Sequence, residues 1–563
     1  MFILSINKEL RLEIPSFAEE KFDFRETRVN LYFKQNGFIF DKLQDYYTLQ
    51  ESISNLKVRF IRRRGLITIE CDTKFFKPVY YHITSGGQFL CASHISLLEQ
   101  AGIKLEENLD ALPEYFLYRC VAPPRTLYKS INLLGFAERL VISSRKQKLS
   151  FKKEYLTNLS IGNTYQQNGS VGLILERLTK TISELKEQRS EVTTLFSGGL
   201  DSSLLVSLAG NLLNQKKTFS TDYPREFDHQ MTETNYAKST SEYLKTDHTT
   251  YQFSKKEYFL GLIEAIASAE APVHHLQSVC LYNLFKHGIS PDAKILLCGQ
   301  GADALCGMDG FSNTYRLMSS VWKNIPFKPI LKKLFIYLYQ RSKKGYTPAQ
   351  YFENCVYTDG DIDFNFWSIG AYGNLAWIQR EFGISKRRLL EPRINLLKTV
   401  ANKNILDFMV IATLITNAAA TQVIWGRLAE SCGKYLFFPF SDLEVIKLSL
   451  LVSWEHKLKS KKYLIRKMCE DIGIPQDIIN REKSSFGFEV SKWGGNHGLL
   501  VQLIDRFASG PLKDSLNVDL FDLKKEKDAM TLWSLLNYYI WHRIFIEKQS
   551  VEDLGNMMDE VLN

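Results

Sequence analysis

Residues 196 to 203 read Phe196-Ser197-Gly198-Gly199-Leu200-Asp201-Ser202-Ser203, between a strand-like run at Val192-Thr193-Thr194-Leu195 and an apolar helix start at Leu204-Leu205-Val206. That composition suits phosphate. Two glycines let the backbone approach phosphate oxygens, the small hydroxyls add donors, and a helix N-terminus supplies unpaired N–H groups with a favourable dipole. No GxxxxGK[ST] lysine follows, so the loop is not of the kind that cleaves a γ-phosphate. The competing structural reading is that Asp201 and Ser202 only cap a helix after a glycine turn. A second turn ends another apolar run: Ile295-Leu296-Leu297-Cys298-Gly299-Gln300-Gly301-Ala302-Asp303. Sites in open parallel sheets gather at the carboxyl ends of the strands, so the two turns are expected to face one ligand. Asp201 and Asp303 would then share a magnesium ion between phosphate oxygens, which hard oxygen ligands suit.

The elements that must hold these turns follow from patterning. At 563 residues the chain is long enough for two or three domains. Residues 1–165 are rich in short β-type runs such as Val29-Asn30-Leu31-Tyr32-Phe33 and Val79-Tyr80-Tyr81-His82. The polar stretch Gly162-Asn163-Thr164-Tyr165-Gln166-Gln167-Asn168-Gly169-Ser170 predicts a boundary, and residues 170–563 form the second unit. Strands there alternate with helix-length periodicity, which predicts a parallel α/β sheet. From about residue 365 onward the pattern is mostly helical.

A net charge of +9 permits nucleic acid without indicating it. Basic clusters stand at Arg62-Arg63-Arg64 and at Lys332, Lys333, Arg341, Lys343 and Lys344. The second lies in an apolar, aromatic segment, Trp322 to Tyr346, that predicts an amphipathic helix or a peptide-holding surface. Nine cysteines without CxxC spacing, no signal peptide and no long apolar run fit a soluble cytoplasmic enzyme without stable membrane insertion.

In these motifs the chain resembles the asparagine synthetase B family, which includes β-lactam synthetases and the macrolactam-forming cyclases of lasso peptides. Matches continue in order through Thr234-Asn235-Tyr236-Ala237-Lys238, Glu270-Ala271-Pro272, Phe437-Phe438-Pro439-Phe440-Ser441-Asp442, Lys461-Lys462-Tyr463-Leu464-Ile465-Arg466 and Ile479-Asn480-Arg481-Glu482-Lys483. The resemblance implies an α+β, Ntn-type glutaminase-like domain followed by an α/β PP-loop ATP pyrophosphatase domain with a helical C-terminal part. It implies ATP and Mg2+ as cofactors, with Phe196, Ser197, Gly198, Gly199, Asp201, Ser202, Thr221, Cys298 and Gly299 around the nucleotide. It further implies that Lys462 is the lysine expected to stabilise an acyl-adenylate and the tetrahedral intermediate formed from it. Without the resemblance, Lys462 among Lys457, Lys459, Lys461 and Lys467 reads as a solvated lysine.

Two departures shape the functional expectation. A glutaminase of this type works through a cysteine exposed as the first residue, whose own amine is the base; here Phe2 follows Met1 and no cysteine precedes Cys71. Glutamine is therefore not expected as the nitrogen source, and trimming Phe2 is expected to change little. Gln300 stands where asparagine synthetases carry Glu and β-lactam synthetases carry Tyr with a distant Glu; no acid occurs near Thr421-Gln422-Val423 to replace that Glu. Glutamine does not accept a proton at neutral pH, so Gln300 is expected to orient an amine. A peptide α-amine, with a pKa near 7.7 to 8.0, needs little help from a base. The expected reaction is AMP-forming amide synthesis, closing a macrolactam in a ribosomal peptide of lasso type. Its partners would be a peptide or small carboxylate substrate and a leader-peptide-binding protein or protease of the same pathway, without nucleic acid. Intermolecular amidation of a small metabolite or sugar acid, a β-lactam-type cyclisation and a non-catalytic scaffold are the alternatives.

Overall fold

Alternation decides the strands. In Lys57–Ile61, Val58 and Phe60 are fully buried while Lys57, Arg59 and Ile61 stay partly exposed, the period-two pattern of a sheet with one covered face. The computed structural model describes residues 1–6 and 17–156, less 25–26, 35–37, 44–45, 52–55, 62–64, 85–86 and 146–147. It also describes 171–224, 232–306, 372–400, 405–481, 498–513 and 521–563, less 189, 458 and 523–525. The basic clusters at Arg62-Arg63-Arg64 and Trp322 to Tyr346, the boundary stretch Gly162 to Ser170, and Glu482 and Lys483 lie outside the described residues.

The first part of the chain builds two six-stranded antiparallel sheets. Phe2–Ile6 is central in one of them, paired with Thr27–Lys34 and Phe89–Ala92. Phe2 is fully buried and its N–H donates to Ser93 Oγ at 3.1 Å. Removing Phe2 therefore takes a core side chain from a central strand, which corrects the expectation that trimming it changes little.

The second part carries a five-stranded parallel sheet in the order Asp247–Tyr251, Lys217–Thr221, Glu191–Leu195, Ala293–Leu297, Tyr435–Phe437. The last strand is three residues long and sits within the stretch read as helical; its backbone extends the sheet beside Ala293–Leu297, a pairing that local periodicity does not reveal. Helices Val171–Ser183, Leu200–Leu213 and Lys255–Ala269 belong to this layer, followed by Ala419–Ser431, Tyr463–Asp471 and Glu526–Phe545. No described helix is long and apolar enough to cross a membrane.

The two parts share their cores. Tyr115, Phe116 and Tyr118 from the first pack in one cluster with Trp533, Tyr538 and Trp541 of the last long helix but one. Polar bonds cross the seam too. Glu270 accepts from the N–H groups of Ile95 (2.8 Å) and Ser96 (3.0 Å), at the start of helix Ile95–Gln100, and also meets Arg427 at 3.1 Å. A carboxylate there satisfies orphan amide donors and complements the helix dipole.

Candidate active site

Strand Glu191–Leu195 delivers the chain to Phe196, whose N–H bonds to Phe219 O of the neighbouring strand at 2.8 Å. The backbone then turns sharply. Gly198 has φ +68°, and a Cβ there would stand 2.7 Å from Tyr236 O, so the turn admits no side chain. Gly199 precedes helix Leu200–Leu213; Ser202 Oγ donates to Gly199 O at 3.0 Å, and Ser197 Oγ accepts from Gly199 N–H at 3.3 Å. The result is a glycine turn at the amino end of a fourteen-residue helix. Phe196 keeps only 2% exposure and packs with Val206, Ala237 and the His248 ring, so its main chain rather than its ring is left to meet a ligand.

The neighbouring strand Ala293–Leu297 leads to Cys298, buried, its N–H bonded to Phe437 O at 2.9 Å and its thiol pushed up to about 12 by burial. Such a thiol is inert at neutral pH. Gly299 follows against the first turn: a Cβ built on it would lie 3.2 Å from Asp201 Cβ. The two turns expected to face one ligand are therefore in contact. Gln300 is half-buried beside them, and Gly301 has φ +99°. Thr221, at the end of the strand on the other side, is buried.

Lys462 closes the arrangement. It stands at the N-cap of helix Tyr463–Asp471 with φ +52°, a left-handed conformation that non-glycine residues seldom adopt. From there Nζ comes within 2.5 Å of Asp201 Oδ2 and 2.6 Å of Asp303 Oδ1. Burial disfavours the ammonium, but the two carboxylates outweigh it and hold its pKa above the ordinary lysine value. So Lys462 is not a solvated lysine: its side chain is 14% exposed and permanently charged at neutral pH.

The ammonium shows that Asp201 and Asp303 are spaced to share one positive charge. No group of three or more His, Cys, Asp or Glu gathers as a metal site among the described residues. Two carboxylates are what a magnesium ion needs when phosphate oxygens and water complete its octahedron, so the donor set fits a metal that arrives with a nucleotide.

The asparagine synthase family model matches residues 173–543. The chain belongs to that family. A glutamine amidotransferase domain model matches residues 60–156. Asparagine synthetase [glutamine-hydrolyzing] 1 of Bacillus subtilis is 24% identical over 500 residues, covering 86% of this chain and 77% of the relative. The putative asparagine synthetase [glutamine-hydrolyzing] of Mycobacterium bovis is 23% identical over 530 residues, covering 85% and 74%. A putative asparagine synthetase of Methanocaldococcus jannaschii reaches 28% identity over 208 residues, covering 35% of this chain and 38% of the relative. The chain is thus an ATP-dependent carbon–nitrogen ligase of the asparagine synthase family.

Several contacts around the turns could not be read from the sequence. Arg481 lies over the Tyr236 ring at 4.0 Å, joining two segments far apart in sequence. Gln422 donates to Ser441 Oγ at 2.6 Å, and that hydroxyl lies 3.6 Å from the Cβ position of Gly301, so the segment without an acid is a structural neighbour of the second turn. His274 and His275 stack at 4.1 Å beyond it. Their one sequence signal was position, one residue beyond Glu270-Ala271-Pro272.

Proposed function

We propose that this ligase activates a carboxylate as its AMP ester, releasing pyrophosphate, and joins it to an amine without hydrolysing glutamine. The observation that carries this reading is the Lys462 ammonium held between Asp201 and Asp303 at the mouth of a glycine turn that lacks a Walker lysine. Ser197, Gly198, Gly199 and Ser202 would take pyrophosphate oxygens, and Phe196, Thr221, Cys298 and Gly299 would line the nucleoside, largely through the main chain. Asp201 and Asp303 would hold Mg2+, which supplies charge neutralisation of the phosphates. Lys462 would then face the acyl group, where an ammonium lowers the energy of the oxyanion that forms on attack. Gln300, amide-bearing and beside this point, would hydrogen-bond the incoming amine.

The absence of cysteine from residues 1–70 and the burial of Phe2 support a nitrogen source other than glutamine. A tethered amine suits a turn whose side chain is not a base, because intramolecular attack removes up to about 7 to 11 kcal/mol of entropic barrier. On that ground the favoured reaction is macrolactam closure in a ribosomal peptide of lasso type, in the cytoplasm, with a leader-binding protein or protease as partner. The relatives' names favour a second reading, intermolecular amidation of a small acid. Incubation with ATP, Mg2+ and candidate peptides decides between them. AMP, pyrophosphate and a product one water lighter than the peptide support cyclisation, and a product joined to an external amine supports the second reading. ADP with phosphate would overturn adenylation itself.

A further inference from the structure

Three arginines are buried among the described residues, and two have carboxylate partners. Arg393 meets Glu114 at 2.7 Å and Arg427 meets Glu270 at 3.1 Å. Arg119, 5% exposed, has none among the described residues. Its Nη2 donates to His275 Nδ1 at 3.1 Å, and its guanidinium lies 3.6 Å from the centroid of the Tyr372 ring. A buried cation without an anion is costly unless something supplies the opposite charge.

The surroundings are built to keep Arg119 there. It is the C-cap of helix Leu112–Tyr118 with φ +60°, a position where glycine is the default, so an arginine is held at a backbone cost. Tyr372 is fixed over it by two main-chain bonds, Tyr372 N–H and Gly373 N–H both donating to Leu117 O at 2.8 and 3.1 Å. His275 Nδ1 accepts the hydrogen bond from Arg119 Nη2–H, so that nitrogen carries no proton and the ring is neutral, with Nε2–H left as a donor. Burial and then the charge of Arg119 push its pKa well below the ordinary value, so it adds no charge of its own. His275 and Tyr372 remain partly exposed and flank the guanidinium with ring surface, and the partly exposed Trp425 ring lies 6.4 Å from that of His275.

This pocket is connected to the second glycine turn. His274, stacked on His275, meets Thr421 Oγ1 at 3.1 Å; the next residue, Gln422, donates to Ser441, which stands beside Gly301. A continuous run of side chains therefore leads from Arg119 to the residue after Gln300.

We propose that Arg119, His275 and Tyr372 form a receptor for a carboxylate of the acyl substrate other than the one being activated. The inference rests on the amide-ligase reading for what the anion belongs to, but not for whether the anion binds. A planar guanidinium with a neutral imidazole N–H at its side matches the two oxygens of a carboxylate, and the aromatic flank suits the carbon chain attached to it.

The test is a titration of the full chain, without nucleotide, by glutarate, following tryptophan fluorescence, with inorganic phosphate and neutral glutaramide as comparisons. Saturable binding of glutarate, absent with glutaramide and weakened at least tenfold in Arg119→Gln, is the expected result. Tyr372→Leu, which leaves the charge in place, should weaken glutarate several-fold and serves if Arg119→Gln does not fold. No saturable glutarate binding, equal binding by both variants, or phosphate preferred to glutarate would each overturn the receptor. ATP binding is measured separately on the same samples: its loss in the wild-type protein would sink the ligase reading while leaving the anion result standing.

Discussion

Gly299, just past strand Ala293–Leu297, lies against Asp201 in the first turn of helix Leu200–Leu213: a Cβ on the glycine would come within 3.2 Å of the aspartate's Cβ. The contact is tighter than ordinary packing, so Gly299→Ala must shift Asp201 by a few tenths of an ångström. Because Asp201 holds Lys462 at 2.5 Å, we expect turnover to fall at least tenfold while the melting temperature moves little. Pyrophosphate release by Gly299→Ala at the wild-type rate would show that the fit between the two turns is not needed for chemistry.

Lys462→Met should have two separable effects. Amide formation should drop by roughly 10² to 10³, the loss typical when one preorganised oxyanion donor is removed, with ATP still bound. In the nucleotide-free protein Asp201 and Asp303 lose their shared counter-ion, so Mg2+ should bind more tightly to the variant than to the wild type in a calorimetric titration. Equal Mg2+ affinity would mean that the ammonium and the metal do not compete for the same pair.

Lys457 supplies a pH signature. Its amine is buried over the Trp454 ring at 4.5 Å without a hydrogen-bond partner among the described residues, and burial, only partly offset by Asp407 and Cys306, lowers its pKa from 10.5 to about 8. Between those two values the unfolded chain binds more protons than the folded one, so this lysine makes stability rise with pH across that window. Below pH 8 its full cost, about 3 kcal/mol as an order of magnitude, is present. Lys457→Met should therefore raise the melting temperature at pH 7 and flatten the rise between pH 8 and 10; an unchanged slope would refute the assignment.

Phe2→Ala should cost about 3 to 5 kcal/mol, the range for a fully buried phenylalanine. Glutamate should not be released from glutamine by the wild-type protein. Detection of glutaminase activity would overturn the reading of the N-terminal part.

The glycine turn was legible because its residues are local. Gly198, Ser197 and Asp201 are neighbours in sequence, and a strand and helix on either side announce themselves by periodicity. The antiparallel runs around Val29 and Tyr80 were legible for the same reason, and both appear as strands. Lys462 was different. Its own neighbourhood of lysines pointed to solvent, and only pairing with carboxylates 261 positions away in one case makes it a buried cation. Arg119 and His275, 156 positions apart, left no local trace, since a buried arginine short of a carboxylate is defined by what the fold brings near it. The short strand Tyr435–Phe437 escaped similarly, because three residues carry no period of their own.

The carboxylate of Glu270 has one side of its attachment in each half of the chain: two amides of helix Ile95–Gln100 and the guanidinium of Arg427. Cutting between the halves leaves Glu270 with Arg427 but without its two amide donors, and opens those helix amides on the other piece, beside the aromatic surface that Trp533 and Tyr538 share with Tyr115 and Phe116. Each half is thus the other's solvent. The glutamine amidotransferase-like part serves the ligase as packing surface, whatever reaction that part performs, because Tyr115, Phe116 and Tyr118 cover aromatic side chains that would otherwise face water.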